Sequence, residues 1–216
     1  MYNSAVFQED DPDVLRALIG AHPLATLVTA GTGGLMANLI PFIYAANEGQ
    51  GVLYAHLARA NPQIAALREG AQTLVIFQGP NAYITPSWYA SKKAHGRVVP
   101  TWNYATVQVH GTPRTIEDPG QLRALLDRLT ASQESRRADP WKITDAPEDF
   151  VMDSIQNIVG VEIPIARIEG KWKVSQNRPV ADQQGVADGL RRENINEEMA
   201  RLVARRAATD GASPKS

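Results

Sequence analysis

Leu24-Ala25-Thr26-Leu27-Val28-Thr29-Ala30, then Gly31-Thr32-Gly33-Gly34, then Leu35-Met36-Ala37-Asn38-Leu39-Ile40-Pro41 is the stretch whose reading decides the fold. The first run is apolar and β-branched, the middle is turn chemistry, and the second run is apolar again. That is a strand, a hairpin-length turn and a second strand reaching to about Tyr44. A connection this short joins antiparallel neighbours, because parallel strands need a crossover of a dozen residues or more.

The same grammar repeats outward. Asn47-Glu48-Gly49-Gln50-Gly51 turns into a strand from Val52 to His56, and a short helix from Pro62 to Arg68 closes at Gly70. Gln72–Gln78 reads as a buried strand, Gly79-Pro80-Asn81 as a turn, and Ala82–Thr85 as the next strand. Asn103–Ile116 is the longest strand predicted. Val161–Ile168 alternates, and Glu169-Gly170 turns it toward Lys171–Ser175.

Helices sit around this β frame. Asp11-Pro12 starts one that ends at Gly20, and Asp118-Pro119 starts another carrying Leu122, Leu125, Leu126 and Leu129. A third begins near Pro147. The last, Asn194–Ala207, places Ile195, Met199, Leu202 and Val203 on one stripe, with Thr209–Ser216 as a disordered polar tail. Strands joined by short turns, with helices inserted late, predict a mainly β fold with helical additions (α+β), a closed antiparallel barrel. Residues 1–190 are expected to form the barrel domain and 191–216 an appended helix and tail.

Composition narrows the function. The formal net charge is −1, with 44% hydrophobic and 21% charged residues, as in ordinary globular proteins. Such a balance does not suggest a nucleic-acid surface, which shows as a basic domain or stripe. With no cysteine, thiolate metal sites and cysteine nucleophiles are excluded. No signal peptide and no apolar run long enough to span a bilayer are visible, so a cytoplasmic location is expected. His22, His56, His95 and His110 show no metal-ligand spacing, and no catalytic group can be assigned.

Three segments carry chemistry. In His56-Leu57-Ala58-Arg59-Ala60-Asn61-Pro62, Asn61 can cap a helix whose first residue is Pro62, leaving free N–H groups beside the Arg59 guanidinium. That suits a phosphate, although a capped helix with a solvated arginine has the same pattern. Pro100-Thr101-Trp102-Asn103-Tyr104 puts a hydroxyl, an indole and an amide at the mouth of a strand, where a flat hydrogen-bonding ring can be recognised or where aromatics fill a core. Glu169–Pro179 concentrates Lys171, Lys173, Ser175, Gln176 and Arg178, dense in donors for anionic or carbonyl groups, or else a solvated hairpin.

Together with Phe77-Gln78-Gly79-Pro80, Pro86-Ser87-Trp88-Tyr89 and Lys173-Val174-Ser175-Gln176-Asn177-Arg178, these segments resemble the PaiB-like proteins. Those are FMN-binding negative transcriptional regulators, similar in fold to the split barrels of pyridoxamine-phosphate-oxidase-like flavoproteins. The resemblance runs from about Tyr2 to Leu190. It implies an FMN-binding split β-barrel that holds FMN at a homodimer interface. Arg59 with the Asn61 helix start would hold the phosphate, Trp102 and Asn103 would sit near the ribityl chain or flavin edge, and His56 and Thr101 would also bind the cofactor. Lys173, Ser175, Gln176 and Arg178 would reach in from the partner. Asn38 stands where the family is associated with a histidine. No helix-turn-helix accompanies the resemblance, so an FMN-dependent oxidoreductase acting on a small molecule is the alternative to a regulator.

Overall fold

A computed structural model describes residues 1–47 and 49–212, with side chains described to residue 209. Glu48, in the expected 47–51 turn, and residues 213–216 of the expected tail lie outside the described residues. Among the described residues there are nine strands: β1 Gln8–Glu9, β2 Leu24–Gly31, β3 Gly34–Pro41, β4 Ile43–Ala45, β5 Val52–Ala58, β6 Thr73–Ile84, β7 Thr101–Gly111, β8 Arg114–Ile116 and β9 Ile158–Lys173. The helices are α1 Pro12–Ala21, α2 Gln63–Arg68, α3 Ala90–His95, α4 Pro119–Glu134, α5 Glu148–Gln156, α6 Val180–Arg192 and α7 Glu197–Ala212. Strand order is β3-β2-β6-β7-β9-β5-β4, with β1 and β8 also pairing with β9. The β2–β3 hairpin is antiparallel, in the register Leu24↔Pro41 to Gly31↔Gly34. The architecture is a split barrel with helical additions. Among the described residues no helix is long and apolar enough to cross a membrane.

The chain divides into two compact units. One holds residues 16–77 and 108–168, the other residues 1–15, 78–107 and 169–216. The core of the first is built from alternate residues of β2, β5, β6 and β9: Leu27, Leu53, Val75, Val161 and Ile163 are fully buried, and Phe42 meets Phe77 edge to face at 6.0 Å. In the same unit α4 and α5 enclose a smaller cluster of Leu122, Ile143, Val151 and Ile155. The second unit buries Ile84, Trp88, Tyr89, Val186, Leu190, Met199 and Val203.

Helix starts follow the sequence. Asp118 accepts from the Gln121 N–H at 2.9 Å, and Asp11 from that of Asp13 at 2.9 Å. Two expected turns are not turns. β6 runs unbroken through Gly79-Pro80-Asn81, with Gly79 and Pro80 buried. β9, at 16 residues the longest strand, runs through Glu169-Gly170. Gly170 lacks a side chain for want of room: a Cβ there would lie 2.6 Å from the Glu9 carbonyl and 2.2 Å from Leu15 Cδ2. It admits β1, which pairs Glu9 with Gly170. The strand expected over Asn103–Ile116 is broken between Gly111 and Arg114, where Pro113 has no N–H for the ladder.

The last helix begins at Glu197 because the Asn196 side chain caps the Met199 N–H at 2.9 Å, so Ile195 lies outside the stripe and is exposed. α6 has no counterpart in the sequence reading. Its glycines weaken the helical signal, yet a Cβ at Gly189 would lie 2.4 Å from the Trp88 indole.

Candidate functional site

The second unit brings the 101–103 and 171–178 segments together. Lys173 Nζ donates to Thr101 Oγ1 and, at 2.6 Å, to the Trp102 carbonyl. Asn103 Nδ2 donates to Ser175 Oγ at 2.8 Å, and both residues are buried. Asn103 Oδ1 is a buried acceptor without a partner among the described residues. Such an atom needs a donor from water or a ligand. Ser175 has φ +67°, a left-handed conformation costing a non-glycine residue roughly 1–2 kcal/mol. Gln176 fixes the turn through its side chain, accepting from Val174 N–H at 2.7 Å and donating to the Trp172 carbonyl.

Charge is concentrated here. Lys171 is buried, donates to the Tyr2 carbonyl at 3.0 Å, and has its Nζ 5.5 Å from the Tyr104 ring centre. Arg178 lies over the Tyr89 ring at 4.8 Å. Burial, then the charges of Lys171 and Arg178, hold the Lys173 ammonium below the usual lysine range. No carboxylate pairs with Lys171, Lys173 or Arg178 among the ion pairs of the described residues. Trp102 is 56% exposed and meets Tyr83 edge to face at 6.0 Å. Cations lacking acids, a buried orphan acceptor and an open aromatic pair suit an anionic ligand with a flat, N–H-bearing ring. The donor set fits FMN.

The first unit holds His56, Arg59 and Asn61. Arg59 is engaged in the fold: Nε donates to the Gln156 carbonyl at 2.8 Å, one terminal nitrogen to Glu117 at 2.8 Å, and the other to the Ile158 carbonyl at 2.9 Å. Glu117 also takes Arg68 at 2.9 Å, and Arg68 and Arg59 together hold its carboxyl below the usual range. Of the five guanidinium N–H groups, two are left for a ligand. Asn61 Oδ1 accepts from Gln63 N–H at 2.9 Å, the local turn that its sequence suggests. Burial lowers the His56 pKa, and its Nδ1 has no partner among the described residues. It offers a neutral nitrogen rather than a charge. Asn38 donates to the buried Gln63 Oε1 at 2.9 Å and serves the packing of α2.

The sequence reading counts Lys171 in the donor-rich segment but not among the cofactor-holding residues. On an unbroken strand, residues 171 and 173 share a face. Glu117, which determines what Arg59 can do, carries no local signal.

Fold and cofactor chemistry together define a class: this is an FMN-binding flavoprotein built on a split barrel. Its fold is that of the FAD and heme binding protein from Mycobacterium smegmatis, with a TM-score of 0.59 at 19% identity over 77% of this chain and 73% of that one. The flavocytochrome Anf3 from Azotobacter vinelandii gives 0.53 at 16% identity over 77% and 69%. The chain belongs to the family described as "Putative FMN-binding domain", which matches residues 1–167. An uncharacterised protein of Emericella nidulans is 34% identical over 94% of this chain and 95% of its own length. The Bacillus subtilis (strain 168) protease synthase and sporulation protein PAI 2, or PaiB, is 29% identical over 94% and 96%.

Proposed function

We propose that the protein is a cytoplasmic FMN-binding homodimer of the PaiB type that acts as a negative regulator of transcription, with flavin seated between two copies. The cluster of Lys171, Lys173 and Arg178 around the orphan Asn103 acceptor carries the flavin-centred reading. In it, the two remaining N–H groups of Arg59 and the Asn61 turn hold the phosphate, beside neutral His56. Thr101, Trp102 and Asn103 line the ribityl chain or ring edge. Lys173, Ser175, Gln176 and Arg178 come from the partner copy, together with residues 101–103 of that copy, to which Lys173 and Ser175 are hydrogen-bonded, which gives two equivalent sites across a two-fold axis. Bound FMN supplies a ring that exchanges electrons. The chain's own residues orient it, neutralise its phosphate and leave the Trp102–Tyr83 pair beside it.

The regulatory role follows the resemblance to PaiB-like regulators. One observation favours the second reading, an FMN-dependent oxidoreductase. Three basic residues of the last two helices are tied to acids: Glu197 takes Arg201 at 3.1 Å and Arg191 at 3.5 Å, and Glu193 takes Arg192 at 3.4 Å. A surface so neutralised is poorly suited to phosphates. Absorption spectra with added FMN, a reductant screen and light scattering test both readings. Near-stoichiometric flavin on a particle of twice 23.5 kDa supports the shared site. A monomer holding FMN tightly refutes it. Turnover with a reductant and small-molecule acceptor, without selective DNA binding, selects the oxidoreductase.

A further inference from the structure

The α4–α5 segment has a small core of its own, and beyond that core a groove opens along α4. Asp127, Thr130, Ala131 and Glu134 recur at helical spacing, so one stripe of α4 forms a wall. The other wall is the connecting segment 140–144. Glu134 ties the two together, because its carboxylate accepts from Trp141 N–H at 3.1 Å and from Arg137 Nε at 3.0 Å. Trp141 borders two cavities in this groove. One is about 400 Å³, and the other, about 180 Å³, reaches Leu126, Phe150 and Val151. Small-molecule sites run from about 300 to 1,000 Å³, with mainly apolar walls and a few polar groups.

The chemistry of the groove favours one sign of charge. Trp141 is 47% exposed and Phe150 64%, and neither ring meets another aromatic ring among the described residues. Open aromatic faces attract cations. Asp127 forms no ion pair or hydrogen bond among the described residues. Arg123, one turn before it, is bound to Glu148, and Arg128 lies over the Tyr54 ring at 4.5 Å. α4 also ends here, at Glu134, and a helix C-terminus favours positive charge. Lys142 is the one basic side chain lining the larger cavity, and it is exposed.

We infer that this groove binds a small organic cation, an ammonium on an apolar or aromatic body, as an effector site separate from the flavin residues. Its use lies in what the roots of the segment hold. Glu117, just ahead of the α4 cap Asp118, takes one terminal nitrogen of Arg59 at 2.8 Å. Gln156, the last residue of α5, and Ile158 take two further nitrogens of that side chain through their carbonyls. The Arg59 backbone N–H donates to the Asn157 carbonyl at 2.8 Å. A ligand wedged between α4 and the segment leading to α5 therefore acts on the guanidinium from both ends. This effector role rests on the proposed hold of Arg59 on the FMN phosphate, whereas the cation site itself does not. Coupling between two sites is reciprocal and commonly about 5- to 150-fold, so FMN would change affinity for the cation by the same factor.

Soluble probes of similar size test the site on the folded, flavin-free chain: 2-phenylethylammonium, 2-phenylethanol and 3-phenylpropanoate, each titrated by ligand-observed NMR. The ammonium is expected to bind about tenfold more tightly than the alcohol, and the carboxylate more weakly than either. Asp127→Asn should lower ammonium affinity roughly two- to fivefold and leave the alcohol unchanged. Trp141→Leu should narrow the preference for ammonium over alcohol, with circular dichroism as the check on folding of both variants. Equal binding of the probes, no binding of the ammonium, or an ammonium affinity indifferent to both substitutions overturns the site. FMN and riboflavin titrations with and without saturating 2-phenylethylammonium test the effector role. The ammonium should change FMN affinity about fivefold or more and leave riboflavin, which lacks the phosphate, unchanged. A bound ammonium that shifts neither flavin, or both alike, overturns the effector role and leaves the site standing. A chain that binds the ammonium but no FMN overturns the flavin reading, and with it the effector role, but not the site.

Discussion

Replacing Lys173 by Gln removes one charge from the densest cationic cluster while keeping a donor of similar reach. An ammonium has three N–H groups. Two are used, on Thr101 Oγ1 and the Trp102 carbonyl, which leaves one for an acceptor on FMN. A charge-assisted hydrogen bond is worth about 1.5–3 kcal/mol, so Lys173→Gln should weaken FMN binding roughly 10- to 150-fold. Flavin fluorescence titration of folded variant and wild type reads this directly. The pH dependence provides an independent check. Burial and the neighbouring cations depress the Lys173 pKa in the folded state, so the ammonium is lost below the usual lysine range. FMN affinity should therefore fall as pH rises through that depressed value. Stability without flavin should move the other way. Between the depressed folded pKa and the ordinary unfolded one, the unfolded chain binds more protons, so stability rises with pH. Both trends should vanish in Lys173→Gln. Unchanged FMN affinity in the variant would remove Lys173 from the site and refute the reasoning.

His56 is depressed by burial, so its contribution to stability is present above its ordinary pKa and is lost as pH falls through the lower folded value. His56→Leu should lose that acid-side sensitivity in thermal melts compared at about pH 7.5 and about pH 5, roughly a unit or more either side of the free imidazole pKa of ~6.5. Gly170→Ala forces a Cβ against a backbone carbonyl and Leu15, an overpacking cost of about 1–3 kcal/mol, or a Tm lower by roughly 2–12 °C. A melt unchanged from wild type would mean that β1 does not approach there as described. In a mobility-shift titration at physiological salt, DNA binding should stay near the non-specific range of about 10⁻⁴ to 10⁻⁶ M. The candidate contacts are Lys92, Lys93 and Arg97, and Arg201, Arg205 and Arg206. A nanomolar, sequence-selective complex would instead establish a reading surface.

Hairpin-length turns and alternating strands made the barrel legible, and the caps Asp11 and Asp118 located two helices. What misled was local chemistry overruled by tertiary contact. Gly79-Pro80 and Glu169-Gly170 carry turn residues, yet the first pair is buried in a continuous strand and the second makes room for β1. Gly185 and Gly189 hid α6 because their purpose, close approach to Trp88, depends on residues far away in the chain. The same asymmetry holds for the candidate site. The donor-rich Lys173–Arg178 segment and the Thr101–Asn103 cluster could be picked out as chemistry, and the structure brings them together. The ties between Arg59 and Glu117, Gln156 and Ile158 could not be read, since no local pattern links a guanidinium to a distant carboxylate and two carbonyls.

Parallel equilibrium titrations with FMN and riboflavin test the central claim most directly, because the two flavins differ only in the phosphate that Arg59 and the Asn61 turn are proposed to hold. The account predicts near-stoichiometric FMN per chain and riboflavin binding weaker by at least one charged hydrogen bond, roughly tenfold or more. Equal affinity for the two flavins, or no retention of FMN, would contradict it.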